Sequence, residues 1–373
     1  MDCVLLTGAT GHLGRYLVRD LIDRGITPVI LIRNSRVTAE ERFRHLLTDL
    51  QINGCSPRLP VLISGDTGKP NFGLAPSAID WIRSCCSQLI HCAASVQFEG
   101  GVTGETMRQN LEAAEHAVDM FHTCNFQKMV YVSTAYVCGQ RTGTILESDL
   151  DCNQTFRNEY EHSKMLAEHR VRSAIAPSQL VVLRPAIIVG DSVNGASRQF
   201  HSIYRFAQFT SLLANAAPKD ADGRWEHNVR LTVPGYKSLN LVAVDWVSAA
   251  SVAIMQRFDF RNEVNTFHLT PAVPTLLSEI EAALQQCFNY TGVRFVDQIE
   301  DLSDSSDSEK FFYSYVSKYL EYWRDDPVFD RTNTNLYISD VPEQRIDTET
   351  LARMFQFAVD TKFGRNISRN RIA

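Results

Sequence analysis

The sequence lacks the features that mark several large classes of protein. Its 43 acidic residues outnumber its 37 basic residues, so the net charge is −6 and no general attraction for nucleic acid is expected. No stretch approaches the roughly 18 consecutive apolar residues of a membrane-spanning helix, and no basic and apolar leader precedes the first apolar run. We therefore expect a cytoplasmic protein without a transmembrane segment, a secretory signal or a nucleic-acid partner.

Cysteine is present but lacks the spacing of a metal site. The nine cysteines are odd in number, no two of them stand as Cys-x-x-Cys, and Cys85 and Cys86 are neighbours. This distribution is typical of reduced thiols and predicts neither a disulfide framework nor a bound metal. The 373 residues contain no internal repeat, and their composition (44% hydrophobic, 21% charged) is that of a globular chain with one large domain, or a domain and a cap.

The first motif is a glycine-rich turn near the start of the chain. Gly8, Gly11 and Gly14 follow a short apolar run, and an amphipathic segment begins directly after them. Strand, glycine turn and helix in this order open a dinucleotide-binding βαβ unit. The first glycine permits a tight turn, the second lets the backbone approach a pyrophosphate, and the third lets the helix pack on the strand. Free N–H groups at the helix start then face the phosphates.

A second apolar run spans residues 28–32, and the residues that follow it bear on the choice of cofactor. An acidic residue commonly stands near this point in NAD-specific folds, where it binds the ribose 2′-hydroxyl. Here Arg33 stands instead, with Arg36 close by, and a guanidinium can pair with the 2′-phosphate of NADPH. The other interpretation is a solvated basic loop. The pattern favours NADPH.

A helix is predicted next, over residues 38–50. Thr38 and Glu41, three residues apart, have the spacing of a capping box. The same helix carries Arg42 and Arg44, which could reinforce a phosphate site.

Apolar runs and helical segments alternate as far as about residue 140. Further strands are predicted at residues 59–63, 89–94 and 128–133, with a helix at 110–121. This alternation predicts a doubly wound parallel sheet.

Residues at the ends of these strands are candidates for cofactor contacts. The carboxylate of Asp66 can accept a hydrogen bond from an adenine amino group, or it can cap a turn; the sequence favours neither. Ala93 and Ala94 are small enough to let the chain pass close beneath a cofactor.

The candidate catalytic residues follow the fifth strand. Thr134 stands at its end, where open α/β sheets bind ligands. Tyr160 and Lys164 are four residues apart in a helical stretch and so project from one face. A neighbouring ammonium lowers the pKa of a phenol, which can then protonate a carbonyl oxygen as hydride arrives. The threonine hydroxyl would hold the same oxygen.

Together, residues 7–14, Ser133-Thr134 and Tyr160-x-x-Ser163-Lys164 resemble the extended short-chain dehydrogenase/reductase superfamily. The resemblance covers residues 1 to about 270. Further segments resemble one branch, the thioester reductase domains of carboxylic acid reductases and peptide synthetases and the Rossmann part of fatty acyl-CoA reductases. These segments are residues 31–33, 91–98, 131–137 and 240–247.

The resemblance implies roles for individual residues. Thr134, Tyr160 and Lys164 would be the catalytic trio, and Lys164 would also hold the nicotinamide ribose. The implied cofactor contacts, with NADPH as the cofactor, are Thr7, Gly8, Thr10, Gly11, His12, Leu13, Gly14, Arg33, Arg44, Asp66, Thr67, Ala93, Ala94, Lys164, Pro185 and Ile187.

The second half of the chain is predicted to build the substrate side. Residues 180–190 predict a sixth strand, and residues 240–247 a short strand and a helix start beside the main sheet, with Asp245 as the helix cap. The apolar residues between about 195 and 234 would either wall an acyl channel or form plain core.

The C-terminal part has three predicted helices and two further segments. The helices are residues 275–288, an aromatic helix at 311–323, and residues 347–363 with Asp347 as N-cap. Phe295 would open a brief strand, and the acidic, serine-rich residues 299–310 would form a mobile connection. The aromatic helix could be a lid, a dimer face or packing for the small domain.

These elements suggest a two-part organisation. We predict an α/β fold with a Rossmann-type NADP-binding domain of residues 1–195 and 236–270. Residues 196–235 and 271–373 would form a smaller, mostly helical substrate-binding part.

The preferred function is NADPH-dependent reduction of an acyl thioester to an aldehyde, with alcohol as the product of a second reduction. No adenylation or carrier domain and no long helical tail is evident, so we expect the acyl group to come from a separate carrier protein or from coenzyme A. The alternatives are a reductase or epimerase of a ketone, aldehyde or nucleotide sugar, and a non-catalytic NADP-binding sensor. The oligomeric state stays open.

Overall fold

The computed structural model describes residues 3–53, 56, 58–96, 104–216, 229–259, 264–297, 305–324 and 326–365. The strands are β1 (Cys3–Thr7), β2 (Thr27–Ile32), β3 (Val61–Ser64), β4 (Cys86–His91), β5 (Lys128–Val132), β6 (Thr144–Ile145), β7 (Leu180–Pro185), β8 (Ile187–Val189), β9 (Val229–Leu231), β10 (Ser238–Leu239), β11 (Leu241–Ala243), β12 (Thr266–Leu269), β13 (Thr275–Leu276), β14 (Val293–Phe295) and β15 (Val328–Phe329). The helices are α1 (His12–Asp23), α2 (Ala39–Asp49), α3 (Pro76–Cys85), α4 (Glu105–Thr123), α5 (Glu159–Ala174), α6 (Ile203–Ala216), α7 (Val244–Arg257), α8 (Leu277–Phe288), α9 (Asp307–Arg324), α10 (Thr332–Ile338) and α11 (Thr348–Asp360).

Seven parallel strands form the central sheet, in the order β12-β7-β5-β4-β1-β2-β3. The predicted Rossmann-type, doubly wound fold is therefore confirmed. The chain builds outward from β1 to β3 and then crosses back to place β4 on the other side of β1. Ligands of such sheets bind outside the carboxyl ends of the strands at this reversal, which is where the site lies.

Helices cover both faces of the sheet, and alternate side chains of β1 pack against the helices of each face. Successive side chains of a strand point to opposite faces. Val4 and Leu6 pack in the cluster that includes α1 and α7, whereas Leu5 packs in the cluster that includes α4 and α5. A strand buried on both faces reads as a continuous apolar run rather than an alternating one.

Two predicted helix starts, at Thr38 and Asp347, are confirmed by their caps, and α5 begins with a cap of the same kind. Thr38 Oγ1 accepts from the N–H of Glu41 at 3.2 Å at the start of α2. Asn158 Oδ1 accepts from the N–H of Glu161 at 3.0 Å at the start of α5. Asp347 Oδ1 accepts from the N–H of Thr350 at 3.0 Å at the start of α11. Each bond pairs one of the backbone donors that a helix start leaves without an intrahelical acceptor.

The prediction of one continuous strand over residues 180–190 is wrong. It consists of β7 and β8, which belong to different sheets. Ala186 N–H donates to Leu269 O on one side of the break, and Ile187 N–H donates to Asn240 O on the other. The chain changes partners at this point, from β12 to β11. Because β11 pairs with β8 and not with a strand of the central sheet, residues 241–243 lie beside that sheet and not in it.

The prediction that Asp245 caps α7 is also wrong. Ala243 is the N-cap, and Asp245 lies in the first turn of the helix. Its carboxylate instead accepts from the N–H of Ser192 at 2.9 Å and from the hydroxyl of Ser192 at 2.6 Å. The residue ties the loop after β8 to the start of α7.

The C-terminal helices pack on each other and on the sheet assembly. The ring of Phe206 on α6 stacks on Trp323 of α9 with centroids 3.9 Å apart, and Trp323 is fully buried. Of the three alternatives for the aromatic helix, core packing describes most of its apolar face, although Tyr319 and Tyr322 reach the large cleft.

Three details of the C-terminal predictions differ from the structure. Phe295 ends β14 and does not open it. The helix predicted from residue 275 begins at Leu277, after the short β13. Residues 299–304 of the predicted mobile connection lie outside the described residues, and residues 307–310 already belong to α9. Across the described part of the chain, no helix is both long and apolar enough to cross a membrane.

Candidate active site

A large cleft of about 1120 Å³ lies at the carboxyl edge of the central sheet. Most of the predicted site residues line it: Gly8, Thr10, Gly11, His12, Leu13, Gly14, Arg33, Asp66, Thr67, Ala93, Ala94, Thr134, Tyr160, Lys164, Pro185 and Ile187. Two predicted residues do not, Thr7 and Arg44. One cavity therefore joins the glycine turn at one end to the candidate catalytic residues at the other.

The glycine turn is shaped by close backbone approach. Gly8 has φ +76°, and a Cβ atom there would lie 2.7 Å from Ala93 N. A Cβ on Gly14 would collide with the carbonyl oxygen of Gly8. The turn thus brings the start of α1 against β1, and the first residues of that helix line the cleft, where a helix N-terminus favours an anion.

Thr7 lies behind the cleft wall and shapes it indirectly. The side chain is fully buried. Its Oγ1 accepts from the N–H groups of Cys92 and Ala93, both at 3.2 Å, and lies 3.1 Å from His91 Nδ1. Because its hydroxyl holds the chain after β4, the Thr7 side chain does not line the cleft, and its contact with the cofactor stays a prediction.

Two buried histidines near the turn are neutral supports. His12 Nε2 bonds to Val189 O at 3.0 Å and joins α1 to β8. Burial lowers the pKa of His12 to about 4 and that of His91 to about 3; in His91 the nearby Lys164 adds to the effect. Neither side chain carries charge at neutral pH.

The basic end of the cleft is formed by Arg33 and Arg42, and not by Arg44. Arg42 Nη1 donates to Arg33 O at 2.9 Å, and Arg42 Nη2 donates to Thr10 Oγ1 at 2.7 Å. Arg44, two residues further along α2, points to solvent. The structure does not bring Arg44 to the cleft, because residues two apart on a helix do not share a face; a cofactor contact of Arg44 stays a prediction.

The two arginines repel each other, which suits an anion. Burial lowers the pKa of the Arg42 guanidinium, and the charge of Arg33 lowers it further. A negative group between them would remove this repulsion. Together with the glycine cradle, the residues present fit a dinucleotide that carries an additional phosphate.

Asp66 follows β3 and lies on the cleft wall. Its Oδ1 accepts from the N–H of Gly68 at 3.0 Å, so the side chain does cap a turn. Contact with an adenine amino group stays a prediction.

The candidate catalytic trio meets where β5, β7 and α5 come together. Thr134 Oγ1 accepts from the N–H of Tyr136 at 3.3 Å and donates to Pro185 O at 3.4 Å. Tyr160 forms a hydrogen bond with Thr134. Lys164 Nζ donates to Val132 O at 2.8 Å and to the Tyr131 hydroxyl at 3.3 Å. Tyr160 and Lys164 lie on α5, and the ends of β5 and β7 provide the hydrogen-bond partners that position the trio.

The predicted lowering of the Tyr160 pKa is wrong for this arrangement. Burial raises the pKa of Tyr160 to about 12; the hydrogen bond with Thr134 opposes the shift, while Glu161 and Cys92 add to it. Burial lowers the pKa of Lys164 to about 8. Tyr160 is therefore a protonated phenol at neutral pH, which is the form that a general acid needs.

Sequence reasoning missed the side chains that support this trio. Asn110 on α4 accepts from the N–H of Ser95 at 2.8 Å and donates to Ser163 Oγ at 2.8 Å. Ser163 Oγ in turn donates to Tyr160 O at 2.8 Å. A polar residue on the otherwise buried face of a helix, such as Asn110, was the available signal. Tyr136 and Tyr322 also line the cleft and carried no local signal of that role.

Comparison with known proteins places this architecture in a family. A sequence profile described as "Male sterility protein", of an NAD-binding type, matches residues 6–251. The nonribosomal peptide synthetase asaC of Aspergillus flavus is 26% identical over 368 residues, covering 90% of this chain. The putative fatty acyl-CoA reductase CG8303 of Drosophila melanogaster is 23% identical over 222 residues, covering 50% of this chain. The present chain spans 34% of the first protein and 41% of the second.

Solved structures share the fold. The terminal R domain from the myxalamid PKS-NRPS biosynthetic pathway superposes with a TM-score of 0.77 at 21% identity, covering 97% of this chain and 92% of that one. UDP-glucose 4-epimerase from Bifidobacterium longum, in complex with NAD⁺ and UDP, gives a TM-score of 0.66 at 16% identity, covering 97% and 100%.

Proposed function

The chain belongs to the male sterility family of NAD-binding proteins, and we propose that it reduces an acyl thioester with NADPH. It is an oxidoreductase of the extended short-chain dehydrogenase/reductase type, as first inferred from its motifs. The products are an aldehyde and a free thiol, and a second reduction of the aldehyde gives the alcohol. The observation that carries the proposal is the hydrogen-bonded pair of Tyr160 and Thr134 in the same cleft as the glycine turn and the Arg33–Arg42 pair.

Bound NADPH would supply the hydride. The glycine turn and the start of α1 would hold its pyrophosphate, and Arg33 and Arg42 its 2′-phosphate. Ala93, Ala94, Pro185 and Ile187 would border it along the cleft.

The chain's own residues then manage the carbonyl oxygen. Thr134 would hold this oxygen by a hydrogen bond, and Tyr160 would donate its phenolic proton as negative charge develops there. Lys164 would stabilise the phenolate that remains and hold the ribose. Collapse of the resulting hemithioacetal breaks the carbon–sulfur bond, so one hydride and one proton convert one thioester into one aldehyde and one thiol.

The acyl group would arrive on a separate carrier protein or on coenzyme A. The peptide synthetase relative and the R-domain structure support this, because reductive release acts on a tethered acyl chain. The runner-up is a reductase or epimerase of a nucleotide sugar or another carbonyl compound, which the likeness to the epimerase fold favours.

The direct test follows cofactor oxidation by absorbance with purified protein. NADPH and NADH are each offered with acyl-coenzyme A thioesters, carrier-bound thioesters, free aldehydes and ketones, and the aldehyde product is trapped. Thioester-dependent loss of NADPH with release of thiol supports the proposal. Turnover of only aldehydes or ketones would reject it, and an NADH preference in that turnover would favour the runner-up.

Arg42→Ala should weaken NADPH binding by about 10- to 100-fold, because one charge-assisted contact to the 2′-phosphate is lost. NADH affinity should change little, since NADH lacks that phosphate. Fluorescence titration of both cofactors measures the two dissociation constants. Arg44→Ala, on the same helix but exposed, is the matched control and should change neither; equal weakening by both variants would contradict the assignment.

The rate should fall as the pH rises through about 8. Burial lowers the pKa of Lys164 to about 8, so its ammonium is present below that pH and lost above it. Without the ammonium the phenolate left on Tyr160 is no longer stabilised. The profile of kcat/KM against pH, which reports groups of the free enzyme, should therefore descend above pH 8. A constant value up to about pH 10 would show that the charge of Lys164 is not needed.

A further inference from the structure

Asp326 stands between α9 and β15 and is hydrogen-bonded to the turn that carries Thr134. Its Oδ2 accepts from the Tyr136 hydroxyl at 3.2 Å, and Tyr136 donates its N–H to Thr134 Oγ1 at 3.3 Å. Thr134 is in turn hydrogen-bonded to Tyr160. Asp326 does not line the cleft, yet one tyrosine connects it to the hydroxyl that would hold the reacting carbonyl oxygen.

The same carboxylate oxygen also holds the junction between β10 and β11. Asn240 donates to it twice, from its N–H at 2.6 Å and from its Nδ2 at 2.9 Å. Asn240 O accepts from the N–H of Ile187, a residue of the cleft wall. Oδ2 of Asp326 therefore joins the Thr134 turn, the chain after α9 and the cleft wall.

The other carboxylate oxygen of Asp326 has the opposite environment. Oδ1 is shielded from solvent and has no hydrogen-bond partner in the part of the chain that the structure describes. Leaving a buried acceptor unsatisfied costs stability, and the cost is larger for a charged group. Proteins break this rule mainly at functional sites and compensate for it elsewhere. The location beside the Thr134 turn indicates which function the carboxylate serves.

Neighbouring charges compensate this carboxylate only in part. The Arg157 guanidinium interacts with it, but is also paired with Glu161 at 3.3 Å. Lys237 lines the same small cavity, of about 240 Å³, as the carboxylate. Burial raises the pKa of the Tyr136 hydroxyl well above its usual value and that of the Cys138 thiol to about 12, so both groups stay neutral. Two carboxylates thus share one guanidinium.

We propose that Asp326 is a positioning residue of the reduction, whose carboxylate fixes the Thr134 turn through the Tyr136 hydroxyl. The inference rests on the proposed function and deepens it. A charged acceptor holds a phenol more strongly than a neutral one, so the negative charge is what keeps the turn aligned. Thr134 can then meet the carbonyl oxygen without reorganising, which is the advantage of a preorganised hydrogen-bond donor.

Protonation of Asp326 should weaken this hold at mildly acidic pH. Burial raises the pKa of the Asp326 carboxyl to about 6, although the hydrogen bonds from Asn240 and Tyr136 and the charge of Arg157 oppose the shift. The carboxylate that holds Tyr136 is therefore present above this pH and is lost below it. A rate that depends on the alignment of Thr134 should accordingly fall as the pH decreases through about 6.

Asp326→Asn tests the role of the charge, because the amide keeps the shape and an acceptor oxygen but cannot titrate. The assay uses hexanoyl N-acetylcysteamine thioester, which has no titratable group, at saturating NADPH. At about pH 7.5 the variant should lose about tenfold in kcat, with the NADPH dissociation constant within about twofold of wild type. The wild-type kcat/KM should fall between about pH 7 and 5 towards the value of the variant, and the variant should show no such acid limb.

Two kinetic results would overturn the inference. One is a variant as active as wild type at about pH 7.5. The other is an acid limb that persists in the variant, which would then belong to Glu161, whose pKa is also raised by burial.

Stability separates a positioning role from a merely structural one. The pKa of Asp326 is higher in the folded protein than in an unfolded chain, so its carboxyl stabilises the fold below the ordinary pKa of an aspartate. That contribution is lost as the pH rises through about 6. At about pH 7.5 the neutral amide should therefore unfold at the same urea concentration as wild type or at a higher one, although its activity is lower. Loss of activity together with a lower urea midpoint would overturn the positioning role.

Tyr136→Phe tests the connection itself. Removing the hydroxyl should lower kcat to about the level of Asp326→Asn and abolish the acid limb. The double variant should be no slower than either single variant, because both substitutions break the same link; additive losses would overturn the route through Tyr136. Tyr313→Phe is the matched control, since the Tyr313 hydroxyl donates to Arg230 O at 2.8 Å and the residue does not line the cleft. It should keep the wild-type kcat and the acid limb.

Glu147→Gln is the control for the loss of a buried carboxylate. Glu147 is almost fully buried, accepts from the N–H groups of His268, Asn333 and Thr334, and does not line the cleft. Its replacement should lower the urea midpoint, because these donors lose a charged acceptor, yet the acid limb should remain. Disappearance of the limb in this variant would show that any weakening of the fold removes it, and would overturn the assignment to Asp326.

The outcomes separate this inference from the function on which it rests. If wild type reduces hexanal but no thioester, thioester reduction is rejected, and the same variants measure the positioning role with hexanal, whose carbonyl oxygen Thr134 would also hold. If thioesters are reduced and Asp326→Asn is unimpaired, the function stands and the positioning role is rejected. If wild type oxidises NADPH with no member of the panel, both fail.

Discussion

Replacing Tyr160 by Phe should lower kcat by about 10²- to 10⁴-fold, the usual range for removal of a positioned general acid. The variant keeps the ring and loses only the hydroxyl that bonds to Thr134. No other phenol takes over, because the Tyr131 hydroxyl accepts from Lys164 and that of Tyr136 donates to Asp326. Steady-state kinetics with NADPH and an accepted thioester measures the loss.

The same variant must still bind cofactor for the result to concern catalysis. Its NADPH dissociation constant should stay within about twofold of wild type, since Lys164 and the glycine turn are unchanged. Tyr313→Phe, which removes a hydrogen-bonded phenol far from the trio, serves as the control and should retain full activity. Turnover by Tyr160→Phe within a factor of about three of wild type would rule out Tyr160 as the acid.

The second large effect concerns stability. Glu168 on α5 and Arg184 on β7 are both fully buried, and Arg184 Nη2 lies 2.6 Å from Glu168 Oε1. Arg172 contacts the same oxygen at 2.8 Å. Glu168→Gln removes the negative charge and leaves Arg184 buried without its counter-ion. Breaking such a pair typically costs about 3–5 kcal/mol, which urea unfolding at neutral pH would measure.

The pH dependence of unfolding identifies the source of this cost. Burial alone would raise the pKa of Glu168, but Arg184 and Arg172 outweigh it and lower the pKa to about 2. The stabilisation is therefore fully present above the pKa of an unfolded glutamate and is lost as the pH falls towards 2. The variant should show a flatter dependence over that acidic range.

An exposed ion pair between the neighbouring helices provides the comparison for Glu168. Glu115 on α4 lies 3.5 Å from Arg170 on α5, and both side chains are largely exposed. Glu115→Gln should change the free energy of unfolding by no more than about 0.5 kcal/mol. Similar losses in both variants would mean that the buried network is not what stabilises this face of the sheet.

The sequence was most informative where function depends on short-range order. The spacing of Gly8, Gly11 and Gly14 and the strand end at Thr134 follow from local chain geometry. The i, i+4 separation places Tyr160 and Lys164 on one face of α5. Parallel strands bring their carboxyl ends to one edge, so these residues could be assigned to a single cleft before any tertiary contact was known.

The errors arose where tertiary contacts decide. Arg42 and Arg44 both fit a basic helix, and only the rotation of α2 against the glycine turn places Arg42 in the cleft. Tyr322 reaches Asn158 across 164 positions of the chain, which no local pattern can predict. The pKa of Tyr160 depends on its depth of burial, and the nearby lysine alone indicated the opposite direction.

The path of the chain between β7 and β12 constrains any attempt to transplant substrate preference. The two strands pair along residues 182–185 and 266–269, yet the strands described between them, β8 to β11, lie outside the central sheet. The predicted substrate-binding part, residues 196–235 and 271–373, would therefore combine an excursion from the sheet with a C-terminal extension. A chimaera made at one junction would import part of a foreign cleft, and a compatible exchange needs at least three junctions, one on each side of residues 196–235 and one after β12.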